Sequence, residues 1–226
     1  MNKAWIVYGG WEGHQPEEIS RLFCKMLEDK GWKCSLFDDL SVMESFEELS
    51  GIDLLIPMWT MGELSGDATR SVLGAVSDGL GIAGCHGGMC DAFRNNTEWQ
   101  FLTGGQFVAH PGNDGTEYTV NIRRGSSPIV EDIEDFTLKS EQYYMHVDPA
   151  IEVLATTRFS SDPARGPHTT NGEVDVPVIW TKRWGKGRVF YNSLGHNVEI
   201  FSIPEVAETM KRGFSWAARK KENEVT

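Results

Sequence analysis

Apolar residues enter this chain in short, evenly spaced runs. Residues 3–8 (KAWIVY) read as a buried strand, closed by the glycine-rich turn Gly9-Gly10-Trp11-Glu12-Gly13-His14. Pro16 can open a helix there, and Ile19, Leu22, Phe23, Met26 and Leu27 recur at helical spacing until Gly31. Residues 33–37 predict a second strand and 46–49 a short helical piece. Residues 53–59 (DLLIPMW) predict a third strand, so continuously apolar that both of its faces must be covered, as in a parallel sheet. Ser65 and Asp67 precede another helical stretch, with Val72, Leu73, Val76 and Leu80 as its inward stripe, and residues 81–84 return as a strand. Alternation of strand and helix over the first 90 residues predicts an α/β, doubly wound, mainly parallel sheet with helices on both faces.

The pattern then changes. FLTGGQFVAHPG, EYTVNIRRGSSPIV, IEVLATTRF, PVIWTKRW and GRVFYNSLG read as strands divided by Gly and Pro, with less helix between them, which predicts a partly antiparallel C-terminal extension. Residues 204–216 read as a closing helix, with Val206, Met210 and Phe214 on one face, and residues 219–226 as a frayed tail. Without a repeat or linker, 226 residues are expected to form a single domain, 1–226.

Charge and composition narrow the class. A net charge of -12 would repel phosphate backbones and anionic lipid, so neither nucleic acid nor membrane is an expected partner. No stretch reaches the roughly 18 apolar residues of a membrane span, and the opening MNKAWIVYGG lacks the long apolar region of a secretory signal. Four cysteines, Cys24, Cys34, Cys85 and Cys90, show no CxxC spacing and read as reduced thiols, so a cytoplasmic protein is expected. An acidic surface with exposed aromatics is compatible with a homo-oligomer without arguing for one.

The chemistry is expected at the carboxyl ends of the strands, where doubly wound sheets bind their ligands. There, Gly84-Cys85-His86-Gly87-Gly88 has the spacing of a nucleophile elbow, with histidine at its apex. A scattered histidine is ordinarily a surface or core residue, but His14, His86 and His196 all fall in loops at this one edge. Two chemistries stay open. One is a metal site of His14, His86 and His196, with His110 or Glu141 as an additional ligand and zinc as the first candidate ion. The other is metal-free acid–base work by His86 opposite His196 or Glu141. Strand alternation turns Cys85 toward packing, and Cys90 reads as a buried thiol. His168, in a polar loop with two prolines, reads as surface or lid. Gly9-Gly10-x-x-Gly13 lacks dinucleotide-loop spacing and no Walker loop is present, so no nucleotide cofactor is expected.

Several motifs occur together in a fixed order: Gly9-Gly10 before His14, the Gly-x-His-x-Gly elbow, Gly104-Gly105-Gln106-Phe107 with His110-Pro111, and Trp184-Gly185-Lys186-Gly187-Arg188-Val189-Phe190 running to Gly195-His196. Over nearly its whole length the chain resembles the ThuA-like family, named for trehalose utilisation and similar in fold to class I glutamine amidotransferases. The resemblance implies a cytosolic role in catabolism of trehalose or a keto-disaccharide, with a small-molecule sugar as substrate. Glu141, in SEQYYMHV, matches the acidic residue that such chains carry before an aromatic, with His146 as a neighbour that could support it. His86, Glu141 and His196 become the candidate catalytic set. Gly10, Trp11, Trp59, His110 and Tyr143 are candidates for substrate contact, and Tyr144 and Trp99 are further stacking surfaces for a sugar ring. Trp180 and Trp184 read as core. Amidotransferases hold a nucleophilic cysteine where this chain has His86, and His196 lacks their His-x-Glu pairing, which argues against glutaminase chemistry. An enzyme that hydrolyses or isomerises a sugar derivative is the first expectation. A non-catalytic sugar-binding module and an amidohydrolase using a cysteine are the alternatives.

Overall fold

In the computed structural model, which describes residues 1–220, strand β1 (Lys3–Gly10) lies between β2 (Lys33–Phe37) and β3 (Leu54–Thr60), parallel to both. Helix α1 (Pro16–Glu28) makes the first crossover, with Pro16 in its first turn, Ile19, Phe23 and Leu27 buried, and Glu17, Glu18 and Arg21 outside. A short α2 (Phe46–Ser50) precedes β3, and α3 (Gly66–Ser77) joins β3 to β4 (Gly81–Cys85). Ser65 caps α3 by accepting from the Ala68 N–H. Two short helices follow, α4 (His86–Cys90) and α5 (Thr97–Thr103). Then come β5 (Gly105–Ala109), β6 (Thr116–Ile122), β7 (Phe136–Ser140), β8 (Tyr144–Val147), β9 (Glu152–Phe159), β10 (Val174–Trp184), β11 (Gly187–Asn192) and α6 (Pro204–Ala217).

Nine strands form one sheet in the order β2-β1-β3-β4-β11-β10-β9-β6-β7, and β5 pairs with β8 in a separate ribbon. The last of the described strands, β11, returns to the middle and pairs in parallel with β4, while β10, β9, β6 and β7 extend the sheet antiparallel. The expected doubly wound half and antiparallel extension are thus both present, with β11 as the seam. Successive residues of each central strand serve opposite cores. Ile6, Ile56 and Ala83 pack with α1 and α6, whereas Val7, Leu55 and Ile82 pack with α3. This two-sided burial is why β3 reads as an unbroken apolar run. No described helix is long and apolar enough to cross a membrane.

Local assignments change at three places. Phe101–Thr103, expected in a strand, close helix α5, because Asn96 caps it from the Trp99 N–H and Gly104, at φ 83°, ends it in the left-handed conformation. β7 has no counterpart in the expected pattern, since Thr137 and Lys139 are exposed and only Leu138 and Ser140 are buried. Arg219 is anchored by its N–H to the Asp53 carbonyl, so the chain does not fray there, and residues 221–226 of the expected tail lie outside the described residues.

Candidate metal centre

Parallel register brings the carboxyl ends of β1, β3, β4 and β11 to one edge, with Gly10 opposite Thr60 and Asn192 opposite Cys85. His14 stands on the helical turn Glu12–His14 just beyond β1, His86 immediately follows β4, and His196 lies four residues past β11. Glu141 reaches in from the antiparallel half, one residue beyond β7. His86 occupies the elbow apex with φ 47°, a left-handed conformation that an L-residue adopts at a cost. Its neighbour Gly87 makes room: a Cβ there would stand 2.6 Å from the His14 ring.

Three imidazole nitrogens face one carboxylate oxygen. His86 Nε2 is 3.2 Å, His196 Nδ1 3.3 Å and His14 Nε2 3.9 Å from Glu141 Oε2. The four residues offer donor atoms that all lie within 4.8 Å of one another, and three of them are buried. Their outer contacts set orientation. His14 Nδ1 meets Thr60 Oγ1 at 2.8 Å, His86 Nδ1 donates to the Ser193 carbonyl at 2.8 Å, and the Tyr118 hydroxyl donates to the Glu141 carbonyl at 2.9 Å. His196 Nε2 faces Asp114 Oδ2 at 3.8 Å, while its buried Nδ1 has no aligned hydrogen-bond partner.

The His86–Glu141 contact is electrostatically incomplete. A carbonyl only accepts, so the proton of a neutral His86 sits on Nδ1 and Nε2 presents a lone pair. Burial, with His14 beside it, holds His86 down to about 4 against the pull of Glu141 and Ser193, so the ring is neutral near pH 7. For Glu141, burial alone would raise the carboxyl, but the contacts from His14, His196 and His86 outweigh it and keep the group ionised. Two acceptors therefore confront each other at 3.2 Å. That arrangement repels unless positive charge lies among the four groups, and either a proton on an imidazole or a divalent ion can supply it. The Glu141 contact also raises His196.

Other residues expected at the site divide. His110 meets the other carboxylate oxygen, Nε2 3.7 Å from Glu141 Oε1, with its side chain 34% exposed. Trp11 packs edge-to-face on His14, centroids 4.6 Å apart. Trp59 is half-buried against Gly9 and Gly62, and Gly10 is the point where backbone closes on Thr60. Tyr143 is buried and stacks on His86 at 3.9 Å with Phe107 also against it, so it braces the imidazole and offers no face to a sugar. Trp99 is core, its Nε1 donating to the Met89 carbonyl. Tyr144 packs against Phe159 and His168 instead, and His146 is exposed on β8 rather than behind Glu141. Cys85 is buried with Sγ 3.8 Å from Met58 Sδ, and burial pushes both its thiol and that of Cys90 up, which disfavours a thiolate at either position. Ser193 and Asp114 carried no signal in the sequence, Ser193 because it acts through its backbone.

Residues 3–217 match the family model ThuA, described as trehalose utilisation. The chain belongs to the ThuA family. Among solved structures similar to this ThuA chain, a ThuA-like protein from Bacteroides uniformis aligns over 98% of this chain and 93% of its own, with TM-score 0.77 and 20% identity. One from Parabacteroides merdae aligns over 96% and 89%, with TM-score 0.74 and 19% identity. A β-galactosidase from Bacillus circulans contains a similar fold, matching 93% of this chain with 31% of its own at TM-score 0.54 and 14% identity. These likenesses show the fold, an α/β arrangement consistent with the flavodoxin-like class. No curated protein sequence matches the chain significantly.

Proposed function

We propose that this ThuA-family chain is a metal-assisted enzyme of carbohydrate catabolism, working in the cytoplasm on trehalose or a keto-disaccharide by hydrolysis or by proton abstraction beside a carbonyl. The observation that carries the metal is the meeting of His86 Nε2 and His196 Nδ1 on Glu141 Oε2, at 3.2 and 3.3 Å, with no aligned hydrogen bond at His196 Nδ1. A tetrahedral ion with bonds of about 2.0–2.1 Å keeps its ligand atoms roughly 3.3 Å apart. His86 and His196 stand at that spacing from Glu141 Oε2, and His14 is slightly farther. The outer bond from His86 to a carbonyl and the contact of His14 with a hydroxyl match the way metal-binding imidazoles are oriented. Three imidazoles and a carboxylate suit zinc and other borderline divalent ions. Such an ion supplies Lewis acidity toward a carbonyl or an activated water. The sugar comes from the family description.

Elemental analysis of protein purified without chelator, with His86→Ala beside it, tests the reading. Near-stoichiometric zinc, manganese or nickel that disappears in the variant supports it and directs substrate screens to keto sugars. Wild-type protein that stays metal-free after reconstitution overturns it and leaves His86 as a proton carrier or part of a binding pocket.

A further inference from the structure

Of the eight tryptophans in the chain, Trp11 alone is exposed, at 47%. Its position is held by two neighbours. The His14 ring meets it edge-to-face at 4.6 Å and 76°. Close to it lies Gly13, where a Cβ would fall 2.4 Å from Trp11 Cζ2 and within 2.7 Å of two further ring atoms. Gly13 is not among the residues with positive φ, so its backbone would accept any side chain. What Gly13 contributes is the missing Cβ, and the space it leaves is filled by the indole. The turn Gly9-Gly10-Trp11-Glu12-Gly13-His14 therefore seats a ring.

His14 is in turn 4.6 Å from the His86 ring and 5.4 Å from that of His196, so Trp11 stands one ring removed from the centre. A large apolar surface left in water beside a buried polar cluster is a recognition feature when it is rigid, because little side-chain entropy remains to be lost on binding. An indole face is apolar and slightly negative. It suits a ligand with one flat C–H face and a polar perimeter, and it disfavours an anionic group. A pyranose ring has that construction.

We propose that Trp11, seated on Gly13 and against His14, is the specificity-determining platform of this site, its exposed indole surface receiving the C–H face of a pyranose and setting that ring beside the histidine cluster. The proposal rests on the carbohydrate reading above. Gly13 is a positioning residue in it.

The test is titration of the purified full chain with α,α-trehalose and methyl α-glucopyranoside by calorimetry and saturation-transfer NMR, for wild type, Trp11→Ala, Trp11→Phe and Gly13→Ala, with metal content measured for each. The expected result is binding of at least one pyranoside, weakened roughly ten-fold in Trp11→Ala and similarly in Gly13→Ala. Trp11→Phe should retain most of the affinity, and all four proteins should hold the same metal content. Saturation transfer to the ring C–H protons should fall in the same order. Binding unaffected by Trp11→Ala and Gly13→Ala overturns the platform and leaves the carbohydrate reading standing. A tetramethylammonium probe that binds through Trp11 while both pyranosides fail overturns the choice of ligand. Failure of every probe sinks both readings. Trp11-dependent pyranoside binding in a protein that takes up no metal sustains this inference and removes the metal instead.

Discussion

Gly87 and His14 share one volume: a Cβ on Gly87 would fall 2.6 Å from both Cε1 and Nδ1 of the His14 ring and 2.9 Å from Thr60 Oγ1. The elbow glycine is thus a steric condition for the histidine cluster. Gly87→Ala should move His14 off Thr60 and out of reach of Glu141. We expect loss of the bound ion by elemental analysis, together with a destabilisation of about 1–3 kcal/mol from overpacking in thermal unfolding. Full metal occupancy in this variant would show that His14 is not a ligand.

Replacing Glu141 by glutamine should act in opposite directions on two measurements. The amide can donate toward His86 Nε2, where the carboxylate presents only a second acceptor at 3.2 Å. At pH 8, where His86 is neutral, metal-free Glu141→Gln should therefore unfold at a higher temperature than metal-free wild type. Its affinity for zinc should fall at least ten-fold. A metal-free variant less stable than wild type would mean that the carboxylate is paired by protons rather than by an ion.

The pH dependence of metal uptake follows from the two shifted imidazoles. His86, held down to about 4, is already neutral near pH 7 and has no proton to release. His196 is raised by Glu141, so a proton bound there near neutral pH must leave before the ring can ligate. Affinity should rise with pH above the ordinary histidine range of about 6.5, by up to about one log unit per pH unit while His196 loses its proton. Calorimetry in two buffers of different ionisation enthalpy should count about one proton released per ion. His196→Gln should flatten that dependence.

Cys85 and Cys90 should resist iodoacetamide at neutral pH until the chain unfolds, because burial keeps both thiols protonated and covered. Mass spectrometry of the folded protein after labelling checks this. Modification of either residue in the native state would revive a cysteine nucleophile.

Much of the parallel half was legible because its signals are local. Pro16 at the head of α1, the Ile19/Phe23/Leu27 stripe and the unbroken apolar run of β3 are each decided within a few residues. The Asn96 cap was equally local and shows that FLT belongs to a helix end, but the apolar residues that follow it resemble a strand start. His14, His86 and His196 could be assigned to one sheet edge because each follows a strand of the same parallel set. Tyr143 misled because an aromatic beside a candidate carboxylate suggests a ligand surface. Only packing reveals that its ring is spent on His86.

From its sequence alone, this chain determines the strand and helix order of its parallel half, the edge where the histidines gather, and the placing of an imidazole at the apex of the turn after β4. Backbone propensity and hydrophobic period act over a few residues, so they can be read there. The tertiary structure decided that β11 returns beside β4, that Glu141 crosses from the antiparallel half to lie among three histidines, and that Gly13 and Gly87 are empty so that rings from Trp11 and His14 can occupy their space. Those are contacts between side chains and vacancies whose geometry exists only after the sheet has assembled, and no local pattern encodes a distance.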